Sequence, residues 1–519
     1  MKTPELFSGC ACCGMDRRQF LAAGCATCAA TAGLSVSATP APAAEGKKKK
    51  RIQIIYALHA PQQSRPDWPN VGFDFQPHMD RITGELKKHC PDLEFTAAMA
   101  NGGEAAKKII DADKSVDGYV IYQMNCWNRV MRTAVATGKP TLYADFQYGG
   151  SGGFLVYTAA MLRNETKNFG FVASSNIEDL IAAVKCFSQI AKPEEFGAAV
   201  AKARMAGTPK AGDLSCKADD LKTLSPDECL AAMKKSKMIT VGRGWPNIVD
   251  AVQSEMGIEV IDLPYEKLNA AWKAADKDQS IEIADRWQKA AAKVEGVERK
   301  TLIKSAAMYL AQKALLKKHG ANAITINCLG GFYGGHIHAY PCLAHHELAN
   351  EGLIGACECD KRSTATMIAM TAMTLGRPGF ISDPVIDTAS RQIIYAHCVS
   401  GNKPFGPGGA ANPFEILTHS EDRQGASVRS TLPVGYMTTT VEFAPERKQI
   451  LFHRGKVVGN STDDRACRTK LVAEPVGDIE KLFTEWDQWG WHRVTVYGDL
   501  KEPVFALADR LKWKVLEEA

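Results

Sequence analysis

"RIQIIYALHA", residues 51–60, has the pattern of a β-strand. After it, "PHMDRITGELKKHC" (77–90) has helical spacing, "LEFTAAMA" (93–100) is again apolar, "GEAAKKIID" (103–111) is helical, and "DGYVIYQM" (117–124) and "KPTLYADF" (139–146) read as further strands. Strands that alternate with helices predict a doubly wound parallel α/β domain over 45–175. The alternation resumes in "IEDLIAAVKCFSQI", "KMITVGRG", "IVDAVQSEM" and "IEVIDLP" and ends in the long helical "TLIKSAAMYLAQKALLKKHG", which predicts a second α/β domain over 176–320. From "ANAITINCLG" onward helices become fewer, and "PGFISDP", "QIIYAHCV", "GYMTTTVEF", "KQILFHRGKVV" and "HRVTVYGD" follow one another with short turns. The expected fold is therefore α/β: two doubly wound domains, then a mixed α+β, β-rich C-terminal domain over 321–519.

A chain of 519 residues exceeds what one core usually serves, in keeping with several domains. Its 45% hydrophobic and 23% charged residues are those of an ordinary globular protein, and no apolar run reaches the ~18 residues of a transmembrane segment. The formal net charge is only +5, and "KKKK" at 47–50 reads as a solvated run, so nucleic acid is not an expected partner. At the N-terminus, Arg17 and Arg18 precede Phe20, Leu21 and a weakly apolar Ala/Gly stretch, with small residues suited to cleavage near Ala44. Residues 1–44 read as a twin-arginine signal peptide, which predicts a periplasmic or other extracytoplasmic location. Of sixteen cysteines, Cys10, Cys12, Cys13, Cys25 and Cys28 lie in that segment; the remaining eleven show no spacing like a disulfide framework or paired C-x-x-C knuckles.

The chemistry-bearing residues gather in the C-terminal third. In "LIGACECDKRSTAT" an apolar strand opens into a helix at Glu358, between Cys357 and Cys359, while Asp360 begins the helix and suits its macrodipole. In "GFISDPVIDT" an apolar strand is expected to end at Asp383, where Pro384 stops the backbone, and "IIYAHC" places His397 at the end of the next strand. A helix between the two acids predicts a βαβ-like pairing that joins the strand ends. Glu358, Asp383 and His397 together form an oxygen and nitrogen donor set suited to a divalent cation such as Mn²⁺. "GGHIHAYPCLAHHE" offers His336 and His338, read as lining a polar substrate pocket or as an H-x-H chelate on a strand, and His345 and His346 at the start of a helix. "WGWHRVTVYGD" places Trp491 and His492 just before a strand, where they could face a sugar or a metal, and Trp127 in "YQMNCWNR" follows a parallel strand, where such sheets place ligands. The Gly-rich "GGSGGFLVY" (149–157) lacks G-x-G-x-x-G spacing and is not read as a nucleotide site.

The run from Cys328 to Cys398, with "GACECD", "GRPGFISDP" and "IIYAHC" in this order, resembles the L-fucose and L-arabinose isomerase family, as do "GYMTTT", "ACRTK" and the ending "WHRVTVYGDLKEPVFALADRLKWKV". The resemblance implies a metal-dependent aldose–ketose isomerase acting through a cis-enediol on a free sugar. It implies Mn²⁺ or another divalent cation held by Glu358, Asp383, His492 and, on the arabinose-isomerase pattern, His397. Glu358 and Asp383 would be the acid/base pair, Trp127, His336, His338 and Trp491 the substrate-binding residues, and the cysteines beside Glu358 packing residues. It also implies a homotrimer or hexamer in which a neighbour's first domain completes the cleft. An exported, non-catalytic sugar-binding protein and a metal-dependent epimerase or lyase are the other readings of these residues.

Overall fold

The buried, unalternating runs near the N-terminus assemble as their composition dictates. In the computed structural model, which describes residues 48–519, β1 (Lys50–Ala57), β2 (Leu93–Ala100), β3 (Gly118–Gln123), β4 (Thr141–Asp145) and β5 (Phe169–Val172) form one sheet in the order β2-β1-β3-β4-β5. Every pairing in it is parallel, and in β1 the six residues Ile52 to Ala57 are all buried. The order reverses between β1 and β3, so the loops after these two strands flank the crevice in which such sheets place ligands. The glycines of "GGSGGFLVY" are explained by close packing of the helix Ser151–Arg163: a Cβ on Gly150 would stand 2.2 Å from the Gln123 carbonyl oxygen and one on Gly153 2.9 Å from the Trp127 nitrogen. The proposed signal peptide and, of the lysine run after it, Lys47 lie outside the described residues.

A second parallel sheet begins with β6 (Lys237–Val241) and β7 (Glu259–Leu263). After these, β8 (Lys293–Glu295) leaves for a small separate sheet, and β9 (Ala323–Ile326) and β10 (Ile354–Cys357) return to give the order β10-β9-β6-β7. The strands on either side of residue 320 thus share one sheet. Its order reverses between β6 and β9, so the loops after these strands and after β10 meet at one rim.

The rest of the chain is β-rich. Its strands are β11 (Phe380–Asp387), β12 (Gln392–His397), β13 (Phe414–Leu417), β14 (Ser427–Ser430), β15 (Met437–Ala444), β16 (Gln449–Asn460), β17 (Thr469–Val476), β18 (Arg493–Tyr497) and β19 (Lys514–Glu517). β13 and β14 join β8, while the others follow the order β15-β18-β11-β12-β17-β16-β19. β16 also pairs with β15, so six antiparallel strands close on themselves as a ring and leave few edge groups unpaired. Inside the ring a polar network is buried: Arg493 Nη2 donates to Glu518 Oε1 (2.7 Å), Glu518 Oε2 stands 3.0 Å from His453 Nδ1, and His453 Nε2 stands 2.6 Å from the Tyr395 hydroxyl. Residues 49–519 form one compact unit, which agrees with the expected class of two α/β sheets followed by a β-rich region.

Two local expectations are corrected. Asp383 does not end a strand: β11 continues to Asp387, and Pro384 sits opposite Tyr395 of β12. The other neighbour of β11, β18, pairs only as far as Ser382, so a residue without an N–H is tolerated there. Glu358 and Asp383 also do not belong to one βαβ unit, because β10 lies in the second sheet and β11 in the ring.

Candidate active site

Glu358 follows β10 directly, and its backbone turns sharply. Glu358 (φ 62°) and Cys359 (φ 52°) are consecutive left-handed residues, a conformation that costs non-glycine residues of order 1–3 kcal/mol and clusters at functional sites. The turn aims the carboxylate at the ring, where β18, β11 and β12 are neighbours. Ser382 pairs with Arg493 and Asp383 with Ala396, so His492, Asp383 and His397 arrive side by side from three adjacent strands. One donor atom from each of Glu358, Asp383, His397 and His492 lies within 4.8 Å of all the others.

The separations are those of ligands around a cation rather than of hydrogen-bonded pairs. His492 Nε2 is 3.3 Å from Asp383 Oδ1 and 3.6 Å from Glu358 Oε2, and His397 Nε2 is 3.7 Å from Asp383 Oδ2 and 3.8 Å from Glu358 Oε1. Donors bound at about 2.0–2.6 Å to a hard divalent ion stand roughly 3–4 Å apart, which fits this set. Both imidazoles are buried, and both Nε2 atoms lack a hydrogen-bond partner among the described residues. An orphaned buried nitrogen is costly, and two aimed at one point beside two carboxylates fit a bound cation.

The electrostatics agree. Burial alone would lower His492, yet the Asp383 and Glu358 charges and the hydrogen bond to Asp360 hold it well above its ordinary value. His397 rises to about 9 although burial again opposes this, because the Cys398 sulfur, Asp383 and Glu358 face it. Burial pushes Glu358 upward, with Asp383 adding to the shift and the histidines opposing it. Positive charge is thus favoured where the four donors converge.

Asp360 has two duties. As N-cap of the helix Lys361–Met373 it accepts from the Arg362 and Ser363 backbone nitrogens, and its Oδ2 accepts from His492 Nδ1 at 2.9 Å. The second bond fixes the ring so that Nε2 faces the site, the carboxylate–histidine arrangement that orients metal ligands. The sequence supported the cap and gave no sign of the bond to His492.

Two adjoining cavities open on this cluster. The larger, about 350 Å³, is walled by Arg243, Trp245, Asn327, Glu358, Trp491 and His492; the smaller, about 180 Å³, by Asp67, Trp68, Trp127, Asp383, Glu421 and Trp491. Glu358 and Trp491 line both. The larger collects the loops after β6, β9 and β10, and the smaller those after β1 and β3, so both lie where the strand orders reverse. Trp491 stacks on Trp245 (centroids 5.9 Å, planes 8° apart) and meets Trp127 edge-on at 5.1 Å. The result is an aromatic wall suited to the C–H face of a sugar ring.

The structure thus brings together Glu358, Asp383, His397 and His492 and sets Trp127 and Trp491 beside them. It does not bring in His336 and His338. Both are exposed on a turn after the helix Cys328–Tyr333, not on a strand; His336 stacks on Tyr265 and His338 packs near Trp272, and neither lines either cavity. His345 and His346 are buried in the helix Cys342–Asn350, where His346 Nδ1 donates to the Ser400 carbonyl at 2.6 Å. Arg243, Trp245, Trp68 and Glu421 were not read from the sequence. The first three lie in loops after predicted strands, so position in a doubly wound sheet was the available signal.

No protein-family model matches the chain. It is similar to curated proteins named sulfoquinovose isomerase. That of Clostridium sp. (strain MSTE9) is 27% identical over 212 residues, 40% of this chain and 46% of the relative. That of Priestia aryabhattai is 22% identical over 303 residues, 56% of this chain and 66% of the relative. The chain therefore spans about half to two thirds of the length of the curated relatives it matches. Among solved structures, the XylFII-LytSN complex and a periplasmic solute binding protein of an ABC transporter from Actinobacillus succinogenes 130z with bound D-allose align at 12% identity and TM-scores of 0.16, covering 56% and 62% of this chain and 86% and 88% of theirs; so low a score carries no argument.

Proposed function

We propose that the protein is a metal-dependent aldose–ketose isomerase acting on a free sugar, with Glu358, Asp383, His397 and His492 as ligands of Mn²⁺ or a similar divalent ion. The observation that carries this reading is the convergence of two carboxylates on two buried imidazoles whose Nε2 atoms have no other partner. A bound divalent cation would polarise neighbouring sugar oxygens and lower the cost of the enediolate. The chain's own residues do the rest. Glu358 lines both cavities, and its upward shift suits a group that takes a proton from one sugar carbon and returns it to the next. Asp383, on the other side of the cluster, moves the hydroxyl proton between the two oxygens. Asp360 keeps the His492 ring in place, and Trp491 with Trp127 and Trp245 positions the sugar and limits water.

The relatives' names suggest sulfoquinovose as the first substrate to try, and Arg243 in the larger cavity offers a cation to an anionic sugar. The test is to follow aldose-to-ketose conversion by NMR for sulfoquinovose and for neutral hexoses and pentoses, with and without Mn²⁺. Metal-dependent conversion of at least one sugar supports the proposal. Sugar binding without conversion, in protein shown to hold the metal, replaces it with the binding-protein reading.

A further inference from the structure

Beneath the carboxylate–histidine cluster lies a second group of donors of opposite chemical character. Cys398 immediately follows β12, His419 lies between β13 and β14, and Cys467 stands two residues before β17. The three belong to distant parts of the sequence, but pairing of β12 with β17 (His397 opposite Thr469) brings two of them to one end of the ring. One donor atom from each lies within 4.8 Å of the other two. The exposures are 2%, 3% and 4%, so none of the three is a surface ligand. Cys342 Sγ adds a fourth soft donor 3.4 Å from Cys398 Sγ.

We infer that Cys398, Cys467 and His419, with Cys342 alongside, form a site for a soft d¹⁰ cation, Zn²⁺ or Cu⁺, distinct from the carboxylate–histidine site. Sulfur and imidazole donors without a carboxylate select such ions, just as the neighbouring oxygen-rich set selects harder ones. The spacing suits tetrahedral coordination, in which thiolates bound at about 2.3 Å stand roughly 3.7 Å apart. The surroundings are those of a supported ligand set. Ser420 Oγ donates to Cys467 Sγ at 3.4 Å, the rings of Phe332 and Tyr340 lie against His419, and the Asp422 carboxylate stands 3.4 Å from His419 Nδ1, which has no hydrogen-bond partner among the described residues. With Zn²⁺, two thiolates from Cys398 and Cys467 and a neutral Cys342 thiol would be electrically neutral, which burial favours over separated charges. The two sites meet at one dipeptide: His397 turns Nε2 to the upper cluster, and its Nδ1 is 3.9 Å from Cys398 Sγ.

The experiment uses the full chain, produced in medium supplemented with zinc and copper and dialysed against EDTA, with metal content and X-ray absorption as readouts. About one equivalent of zinc or copper per chain with a sulfur shell near 2.3 Å is expected, in the wild type and in Asp383→Asn alike, and Cys467→Ser should lower it at least fivefold. Should Cys467→Ser fail to fold, the wild-type sulfur shell remains the deciding measurement. Absence of retained soft metal, a shell of nitrogen and oxygen alone, undiminished metal in folded Cys467→Ser, or a disulfide from Cys398 to Cys342 or Cys467 each overturns the proposal.

Discussion

His492 Nδ1 donates to Asp360 Oδ2 across 2.9 Å, and the same carboxylate caps the helix that begins at Lys361. The two duties separate by mutation, because asparagine caps a helix about as well as aspartate but carries no charge. Asp360→Asn is expected to leave the melting temperature nearly unchanged while weakening Mn²⁺ affinity about 10- to 100-fold, the usual effect of losing a carboxylate behind a ligating histidine. Calorimetric titration beside thermal melts checks this; unchanged affinity would remove Asp360 from the site.

Glu358→Gln and Asp383→Asn should abolish turnover and leave the far-ultraviolet circular dichroism spectrum intact, since both side chains face a cavity. Glu358→Val should behave differently and also destabilise the fold by roughly 1–3 kcal/mol, because a β-branched residue resists the left-handed turn. Equal stability of the Gln and Val variants in urea would contradict the strained turn.

Arg493 and Glu518 are both fully buried and paired at 2.7 Å. Burial alone would raise Glu518, yet the Arg493 charge and the hydrogen bond from His453 depress it to about 2. A depressed acid stabilises the fold above its unfolded value of about 4.3, and that contribution is lost as pH falls toward 2. Glu518→Gln, which strands Arg493, should cost about 3–5 kcal/mol at neutral pH. The gap between variant and wild type should narrow as the pH is lowered from about 4 toward 2. A gap that widens on acidification would refute the assignment.

Trp127 is 46% exposed although it borders the smaller cavity. In a homotrimer or hexamer whose cleft a neighbour completes, this side chain should be covered. Light scattering is expected to give three or six chains, and Trp127→Glu should lower both assembly and activity. A fully active monomer would refute the oligomeric proposal.

Export is the fifth prediction. Changing Arg17 and Arg18 to lysine should retain the protein in the cytoplasm with residues 1–44 uncleaved, whereas the wild type should be recovered outside it with a processed N-terminus. Recovery of wild-type protein beginning at Met1 would end the export proposal.

The first sheet was legible in the sequence because β1 and β3 are rich in branched and aromatic residues and alternate along the chain with helical segments. Closure of the ring was not, since the pairing of β18 with both β11 and β15 joins segments far apart in sequence, and no local pattern encodes it. Glu358 stood out as an acid at the end of an apolar strand. Asp383 was found for a reason that did not hold: Pro384 usually stops a strand, but here one flank of β11 is unpaired and the strand runs on. His336 and His338 attracted attention by number and spacing, which say nothing about the direction a turn faces. Asp360 reads as a helix cap, and a satisfied cap gives no hint of a second acceptor duty.

Glu358 is rooted in the second sheet, and its three companions are rooted in the ring. A slide of one body past the other by a single bond length would pull one donor from the group and leave the remaining three together. The cluster therefore works as a gauge of docking: three donors belong to the ring by itself, and the fourth arrives only when the seam is shut. An ion that prefers four protein ligands to three would act as a rivet across that seam, and its removal would be felt first as loosening along this plane.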